Sequence, residues 1–442
     1  MSAAVAATTR NRVLAIYKEV LKLGRNWEAK DAQQTLKERK DILDEAKQTF
    51  RENKQVTDPK RIADLILEAE KRVVLAQHYG VPYARPDYLP PQTAYNVNAA
   101  NKQFHKVSEI YSIHFKSVAV TSFIRYYFSG SKISEEVLSD VLNQCCLDEH
   151  FYSDFVRFVL CNPLFEKYPI RKSYRRNLLK RVIDAMEQCG TDVSDELYTL
   201  CASCMLDSAE SSFRIFLNQN LDQVLVVLRE SNQQLCYGTT GLSLWQASCD
   251  LSNFLCCFID LSGKKVLELG AGCGLVGISV ARTFQQCSVI LSDYDPKVLS
   301  QLEFNVDENM DKDCSQIKVQ NLDWSMFSID QLSEIPDAVV AADVVYDCAI
   351  LPSLCDVLRK CLYAKKGCVS YVAATLRDPL TLRVFKDKLD EAGLRVNDEV
   401  RYQYGAFTFS DGSKFKSASL FPHSSNLDAP TIIFAIVIKE DL

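Results

Sequence analysis

The sequence predicts an α/β protein whose mainly parallel sheet is preceded by two helical regions. Three observations predict it. Short apolar runs alternate with helical stretches from Val224 onward. A glycine-rich turn follows the first strong run, Val266–Leu269. Before that, apolar residues recur at helical spacing. Strands separated by helices need crossover connections, and these give parallel strands covered on both faces.

Residues 10–80 read as three helices. Val13, Tyr17, Val20, Leu21 and Trp27 share the first periodicity. Leu36, Leu43, Ala46 and Phe50 share the second, and Ile62, Ile66, Ala69 and Val73 the third. Asp58 caps the third helix and Pro59 fits its first turn. Gly80 and Pro82 stop it, and the prolines at 82, 86, 90 and 91 mark an extended exit. Residues 104–222 are again mostly helical, with Ile124, Tyr127 and Phe128 on one segment and Phe151, Phe155, Phe158 and Val159 on another. Strands are expected at Val266–Leu269, Val289–Ser292, Ile317–Leu322, Ala338–Ala342, Val369–Ala374, Leu394–Val400 and Ile432–Ile438. A long loop is expected from about Gln403 to Asp428. The organisation is therefore a helical module at 1–92, a linker at 93–103, a helical region at 104–222 and a sheet domain at 223–442.

Composition narrows the function. With 24% charged and 47% hydrophobic residues the chain is an ordinary globular mixture. No run approaches the ~20 apolar residues of a membrane span. The net charge of −6 divides unevenly: residues 1–90 hold 17 Lys and Arg against 13 Asp and Glu, and the remainder holds 34 against 44. Neither part carries the dense basic patch of a dedicated nucleic-acid binder. The cluster Arg171, Lys172, Arg175, Arg176, Lys180 and Arg181 reads as a solvated helix face or as a surface for substrate protein or RNA. The 17 cysteines are scattered through apolar segments, as core residues of a reducing compartment are. Cys201 and Cys204 form a lone CxxC without a second pair, which suits a helix face better than zinc. The N-terminus lacks a basic n-region and a long apolar core, so no secretory signal is expected.

The chemistry is concentrated after position 224. The run 266–275 (VLELGAGCGL) is a strand, a turn with Gly270, Gly272 and Gly274, and a helix start. Glycines let the backbone turn sharply and approach a ligand closely. The spacing differs from the Gly-x-Gly-x-x-Gly of dinucleotide binders. Together with the acidic Glu268 it suits S-adenosylmethionine, whose ammonium group a carboxylate can meet directly or through water. Asp293 ends the next strand, where a carboxylate can accept from both ribose hydroxyls or cap the helix near Pro296. Trp324 follows the third strand, as an adenine platform or a core residue. The run 341–346 (AADVVY) follows the fourth and supplies an Asp-x-x-Tyr motif in Asp343 and Tyr346.

These motifs together resemble the class I, seven-strand, Rossmann-like methyltransferases, and within them the protein-lysine enzymes of methyltransferase family 16. The run Gly238–Trp245 (GTTGLSLW), Leu322–Trp324 and the segments around Tyr168-Pro169 and Ser173–Arg176 are similar to members acting on elongation factor 2. The resemblance spans roughly 105–442. It implies S-adenosylmethionine as cofactor, with contacts at Trp245, Gly270, Ala271, Gly272, Trp324 and the backbone of Ala342. It implies elongation factor 2 as protein substrate and the cytoplasm as location. In the mechanism expected for such an enzyme, a neutral lysine amine attacks the methyl group in line. Asp343 positions the substrate, and Tyr346 walls the transfer site.

Residues 10–92 are similar to a second family, the LYR-motif proteins. Ile16-Tyr17-Lys18 stands where that family has Leu-Tyr-Arg, followed by Phe50-Arg51, His78-Tyr79, Pro82-Tyr83 and Pro90-Pro91. That resemblance implies a three-helix fold, a mitochondrial association and contact with acyl carrier protein. Lysine in place of arginine loses the guanidinium fork. Two further functions compete: a methyltransferase for another protein, RNA or a small molecule, and a non-catalytic adaptor built on the helical module.

Overall fold

The computed structural model describes residues 3–27, 35–56, scattered positions of 58–73, 115, 117–205, 209–235, 239–310, 317–416, 419–423 and 429–439. Contacts divide the chain into two units, 1–88 and 89–442.

In the first unit, α1 (Ala3–Asn26) packs on α2 (Thr35–Glu52). The described positions between 61 and 73 are helical as well. Ile16, Trp27, Ile42, Ala46, Ile66 and Val73 are buried. Tyr17 and Phe50 meet with ring centroids 4.5 Å apart. The Trp27 indole N–H donates to Glu38 at 2.7 Å, tying the end of α1 to the start of α2. Asp58 accepts the N–H of Arg61 at 3.2 Å, the expected cap. Leu36 departs from expectation. It is 81% exposed, because the inward stripe of α2 runs through Ile42 and Ala46. The proline-rich exit, the linker at 93–103 and the His78–Tyr83 signature lie outside the described residues.

The second unit begins with helices α3 (Val118–Phe128), α4 (Glu135–Leu147), α5 (Glu149–Asp154), α6 (Leu164–Lys167), α7 (Lys172–Gln188) and α8 (Asp195–Ser203). Ser117, Ser134 and Asp148 cap α3, α4 and α5 by accepting backbone N–H groups. Phe123, Tyr127, Phe155 and Phe165 form an aromatic core here, with centroid separations from 5.0 to 5.9 Å. Cys201 and Cys204 are buried in it. The basic cluster is split by the fold. Arg175 turns inward, donating to the Tyr127 hydroxyl at 3.0 Å and to the Leu160 carbonyl at 2.5 Å. Arg181 pairs with Glu135 at 2.5 Å. Cys146 and Cys189, at the ends of α4 and α7, form a disulfide between Cα atoms 6.3 Å apart. Expecting only core thiols missed this pair, because its proximity comes from helix packing across 43 residues of sequence.

A hairpin follows: β1 (Ser211–Leu217) pairs antiparallel with β2 (Val224–Ser231). The region expected to be mostly helical to residue 222 thus ends in a strand. The alternation of Phe213, Ile215 and Leu217 has period two, and the expected boundary at 222/223 falls inside the hairpin turn. The free edge of β2 is closed by side chains. Asn309 accepts the Val227 N–H and Asn305 accepts the Arg229 N–H, each at 2.8 Å. Their amide groups donate back to the carbonyls of the same two residues.

The remaining elements are α9 (Gln246–Phe258), β3 (Lys265–Leu269), α10 (Leu275–Thr283), β4 (Ser288–Asp293), α11 (Pro296–Asn309), β5 (Ile317–Asn321), β6 (Ala338–Ala342), α12 (Leu351–Ala364), β7 (Val369–Thr375), α13 (Pro379–Glu391), β8 (Leu394–Gln403), β9 (Ala406–Thr408), β10 (Lys414–Lys416) and β11 (Thr431–Ile438). The sheet order is β10-β9-β8-β11-β7-β6-β3-β4-β5. Strands β3 to β7 are parallel to their neighbours among themselves, and β11 runs antiparallel between β7 and β8. This is the expected α/β sheet of Rossmann type. The expected loop from 403 to 428 is instead partly strand, since β9 and β10 extend the sheet past β8. Leu420 and Phe421 beyond them are buried, held by Asn253 of α9. The order of the strands reverses between β3 and β6, and ligands bind at such switch points outside the carboxyl ends of strands.

Candidate functional site

The crevice is built from the segments that leave the carboxyl ends of β3, β4, β5, β6 and β7. After β3 the chain turns through Gly270 and Gly272, with φ of +62° and +54°. Side chains other than glycine are strained there. Space demands glycine too. A Cβ on Gly270 would come within 2.9 Å of Val344 Cγ1 and 3.4 Å of Trp324 Cζ2. One on Gly272 would lie 3.1 Å from the Gly241 carbonyl. Gly274 ends the turn as the cap of α10, and Ala271 donates its N–H to Ser292 on β4 at 2.9 Å.

Asp293 closes the turn from the side. Its carboxylate accepts the N–H groups of Gly272 at 3.3 Å, Tyr294 at 2.8 Å and Asp295 at 3.2 Å. Burial raises its pKa above the ordinary carboxyl value against those three bonds. The cap of α11 is Asp295, which accepts from Lys297 and Val298, so the capping alternative for Asp293 falls to its neighbour.

Glu268 is 2% exposed and accepts the Gly277 N–H at 2.8 Å. Burial pushes its carboxyl up to about 8. The bond shown runs into the first turn of α10, so this carboxylate secures the helix that carries the glycine turn.

Trp324 is half-buried at the end of β5 and packs over Gly270. Trp245 caps the loop 239–245, donating its indole N–H to the Thr240 carbonyl at 3.0 Å. That loop is anchored from three sides. Glu230 accepts the Leu244 N–H at 3.2 Å, Gln301 donates to the Leu242 carbonyl at 3.1 Å, and Ser231 donates its N–H to the same carbonyl at 2.7 Å.

Ala342 ends β6, and Asp343 follows with φ +54°, unusual for a residue with a side chain. The Asp343 carboxylate is fully engaged. It accepts from the Thr375 N–H at 3.0 Å and hydroxyl at 3.1 Å. It also takes both ends of the Arg377 guanidinium, at 3.3 and 3.0 Å. Arg377 lies 5.1 Å from the Trp245 ring. Tyr346 is 57% exposed; burial of part of the ring, then the charge of nearby Tyr294, raises its pKa. Motif reading missed Thr375, Arg377 and Glu230. The signal for the first two was their place at the end of β7, the strand beside the one that leads to Asp343. The turn, three strand-end side chains and Trp245 thus form a cradle that suits a nucleoside-bearing ligand. Among the described residues, no group of three or more His, Cys, Asp or Glu could hold a metal ion.

Comparison with known proteins gives two families along the chain. Residues 222–386 match the family model described as lysine methyltransferase, and residues 11–74 match that of Complex 1 protein (LYR family). The human protein-lysine N-methyltransferase EEF2KMT is 32% identical over 282 residues, 60% of this chain and 84% of the relative. Yeast protein-lysine N-methyltransferase EFM3 is 31% identical over 185 residues, 38% of this chain and 54% of the relative. Mouse LYR motif-containing protein 1 is 41% identical over 87 residues, 19% of this chain and 71% of the relative. Among solved structures, TYW2 of P. horikoshii in complex with MeSAdo covers 55% of this chain, with 83% of its own length aligned, at 16% identity and a TM-score of 0.33. The glycine cradle and the length of the first match lead to one conclusion: the chain belongs to the S-adenosylmethionine-dependent protein-lysine methyltransferases and carries a LYR-family module at its N-terminal end.

Proposed function

We propose that this enzyme methylates a lysine of elongation factor 2 in the cytoplasm. The observation that supports a protein as substrate is a set of exposed apolar side chains that follow the carboxyl ends of β4 to β7. Tyr294, Met326, Tyr346 and Leu380, each just beyond a strand end, are 65, 74, 57 and 61% exposed. Tyr294 and Tyr346 are near each other, and exposed apolar groups gathered beside a site suit contact with a protein. The 282-residue match to EEF2KMT supports the particular substrate. The LYR-like module is proposed to work apart from the catalytic domain, which we take to include the hairpin of β1 and β2. Acyl carrier protein is the partner proposed for the module. Cell fractionation tests the location: recovery with mitochondria alone would count against elongation factor 2.

When bound, S-adenosylmethionine supplies a methyl group made electrophilic by its sulfonium. The chain's residues do the rest. Gly270, Ala271, Gly272 and Gly274 let the backbone approach the cofactor, while Glu268 holds the helix behind them. Asp293 would accept from the ribose hydroxyls. Trp324 would pack on the adenine, and Trp245 and the backbone of Ala342 would complete the enclosure. Tyr346 would wall the lysine channel, and Asp343 would position the entering side chain for attack. The lysine must arrive as the free amine, although its ordinary pKa of ~10.4 keeps it protonated at neutral pH.

Transfer from labelled S-adenosylmethionine to purified elongation factor 2, mapped by mass spectrometry, tests the proposal. One modified lysine, lost in Asp343→Ala, is expected. Binding of cofactor without transfer to elongation factor 2 would reject that substrate.

A further inference from the structure

The proposed substrate-positioning carboxylate, Asp343, is already paired within the protein, which bears on how the lysine sheds its proton. This inference rests on the lysine-methyltransferase reading. Asp343 has a side chain only 4% exposed, and four hydrogen bonds converge on it. Two come from Arg377, one to each oxygen, in a fork that only arginine provides. A lone buried carboxylate beside the channel would attract an ammonium group and hold it in the charged, non-nucleophilic form. A carboxylate neutralised by a guanidinium has no such preference.

We propose that Arg377 is a positioning residue that cancels the charge of Asp343, so that the incoming lysine is bound as the neutral amine. Other groups bear on the same place. Asp250 on α9 is buried, and its charge and that of Asp343 repel each other. Tyr346 and Asp347 follow Asp343 on its own loop, and Asp293 and Tyr294 face Tyr346. All of these are unchanged when Arg377 is substituted, so they contribute alike to every profile compared. Arg377 also lies 5.1 Å from the Trp245 ring, which ties the guanidinium to the loop 239–245. The amine nitrogen then forms its bond to the methyl carbon as the carbon–sulfur bond breaks. The proton it released on binding, and the one left on the methylated nitrogen, pass to water.

The test is the pH dependence of methyl transfer by the full chain. The acceptors are elongation factor 2 and, separately, a total protein extract. In Arg377→Gln the unpaired Asp343 should stabilise the ammonium form. The rising limb of the kcat profile should move to higher pH by about one unit or more. Near neutral pH kcat should then fall about tenfold for each unit moved, and KM should not rise. Arg377→Lys keeps the charge and loses the fork, so kcat should fall with the limb in place. Thr375→Val removes a hydrogen bond and no charge, and should also leave the limb in place. An equal loss of kcat at every pH in Arg377→Gln would overturn the proposal. So would a limb moved by Arg377→Lys or Thr375→Val, which also decide the matter if Arg377→Gln does not fold. Transfer to the extract but not to elongation factor 2 would reject only the substrate, and the profiles would be read on the extract. Transfer to neither would reject the enzymatic reading and this inference with it.

Discussion

Glu230, at the end of β2, accepts the backbone N–H of Leu244 at 3.2 Å, so a hairpin outside the main sheet fixes the loop that presents Trp245. The other oxygen of the same carboxylate meets Arg214 at 2.8 Å, and both side chains are largely buried. Breaking a buried pair from one side leaves the second charge uncompensated, at a cost of about 3 kcal/mol or more. Glu230→Gln is therefore expected to lower stability by that order and to weaken cofactor binding, because the Leu244 anchor loosens. Denaturant melts and calorimetric titration with S-adenosylmethionine check the two effects. Wild-type cofactor affinity in a folded variant would show that the hairpin does not position the loop.

Gly270→Ala tests the cradle. The substitution puts a side chain at φ +62° and a Cβ 2.9 Å from Val344 Cγ1. A strained backbone costs on the order of 1–3 kcal/mol, and Trp324 and Val344 must move off the turn. Cofactor affinity should drop at least about tenfold, the equivalent of ~1.4 kcal/mol. Unchanged binding would place the cofactor elsewhere.

Two buried carboxyls set a pH dependence of stability. Burial, followed by the charge of Asp293, lifts Glu268 from 4.5 to about 8 against the Gly277 N–H. Burial lifts Asp250 from 3.8 to about 7, with Asp343 adding to it and bonds from Thr431 and Gln246 opposing it. The folded state binds protons that the unfolded state has already released. Stability is therefore fullest below about pH 4 as far as these groups are concerned, and falls as pH rises to about 8. Glu268→Gln removes the larger effect. It should raise stability at pH 8 by an amount on the order of a few kcal/mol, and the gain should shrink toward pH 5. Urea melts of the ligand-free protein at the two pH values decide it; a gain that is equal at both would contradict the burial argument.

Tyr17→Ala addresses the N-terminal module. Its ring meets Phe50 between α1 and α2, and such pairs contribute about 0.5–1.5 kcal/mol beyond their buried area. Hydrogen exchange in 12–52 should quicken. Methyl transfer by a chain starting at residue 93 measures whether the module matters to the reaction, and activity equal to that of the full chain is expected.

The parts of the site legible in the sequence are those whose geometry is local. Asp293 ends a strand and Gly270, Trp324 and Asp343 follow one, and parallel strands bring their carboxyl ends to one edge. Arg377 was not legible because it reaches Asp343 across 34 residues. Only the register of β6 against β7, with Ala342 opposite Ala373, sets the two loops side by side. The hairpin was lost for a related reason. Seven residues of β1 come after a long helical tract, and their partner strand lies beyond the expected domain boundary. The disulfide joins helix ends that no periodicity pairs. Leu36 shows the opposite failure, since it fits the apolar periodicity of α2 yet is exposed at the start of that helix.

The two asparagines on α11 have a consequence for how copies of this chain meet. A two-stranded sheet ordinarily leaves a row of unpaired amides and carbonyls that another chain can extend. Asn305 and Asn309, one helical turn apart, occupy that row at Arg229 and Val227. Helical side chains end the ladder there and offer no new strand edge beyond it. At those two residues, self-association by strand addition has no template.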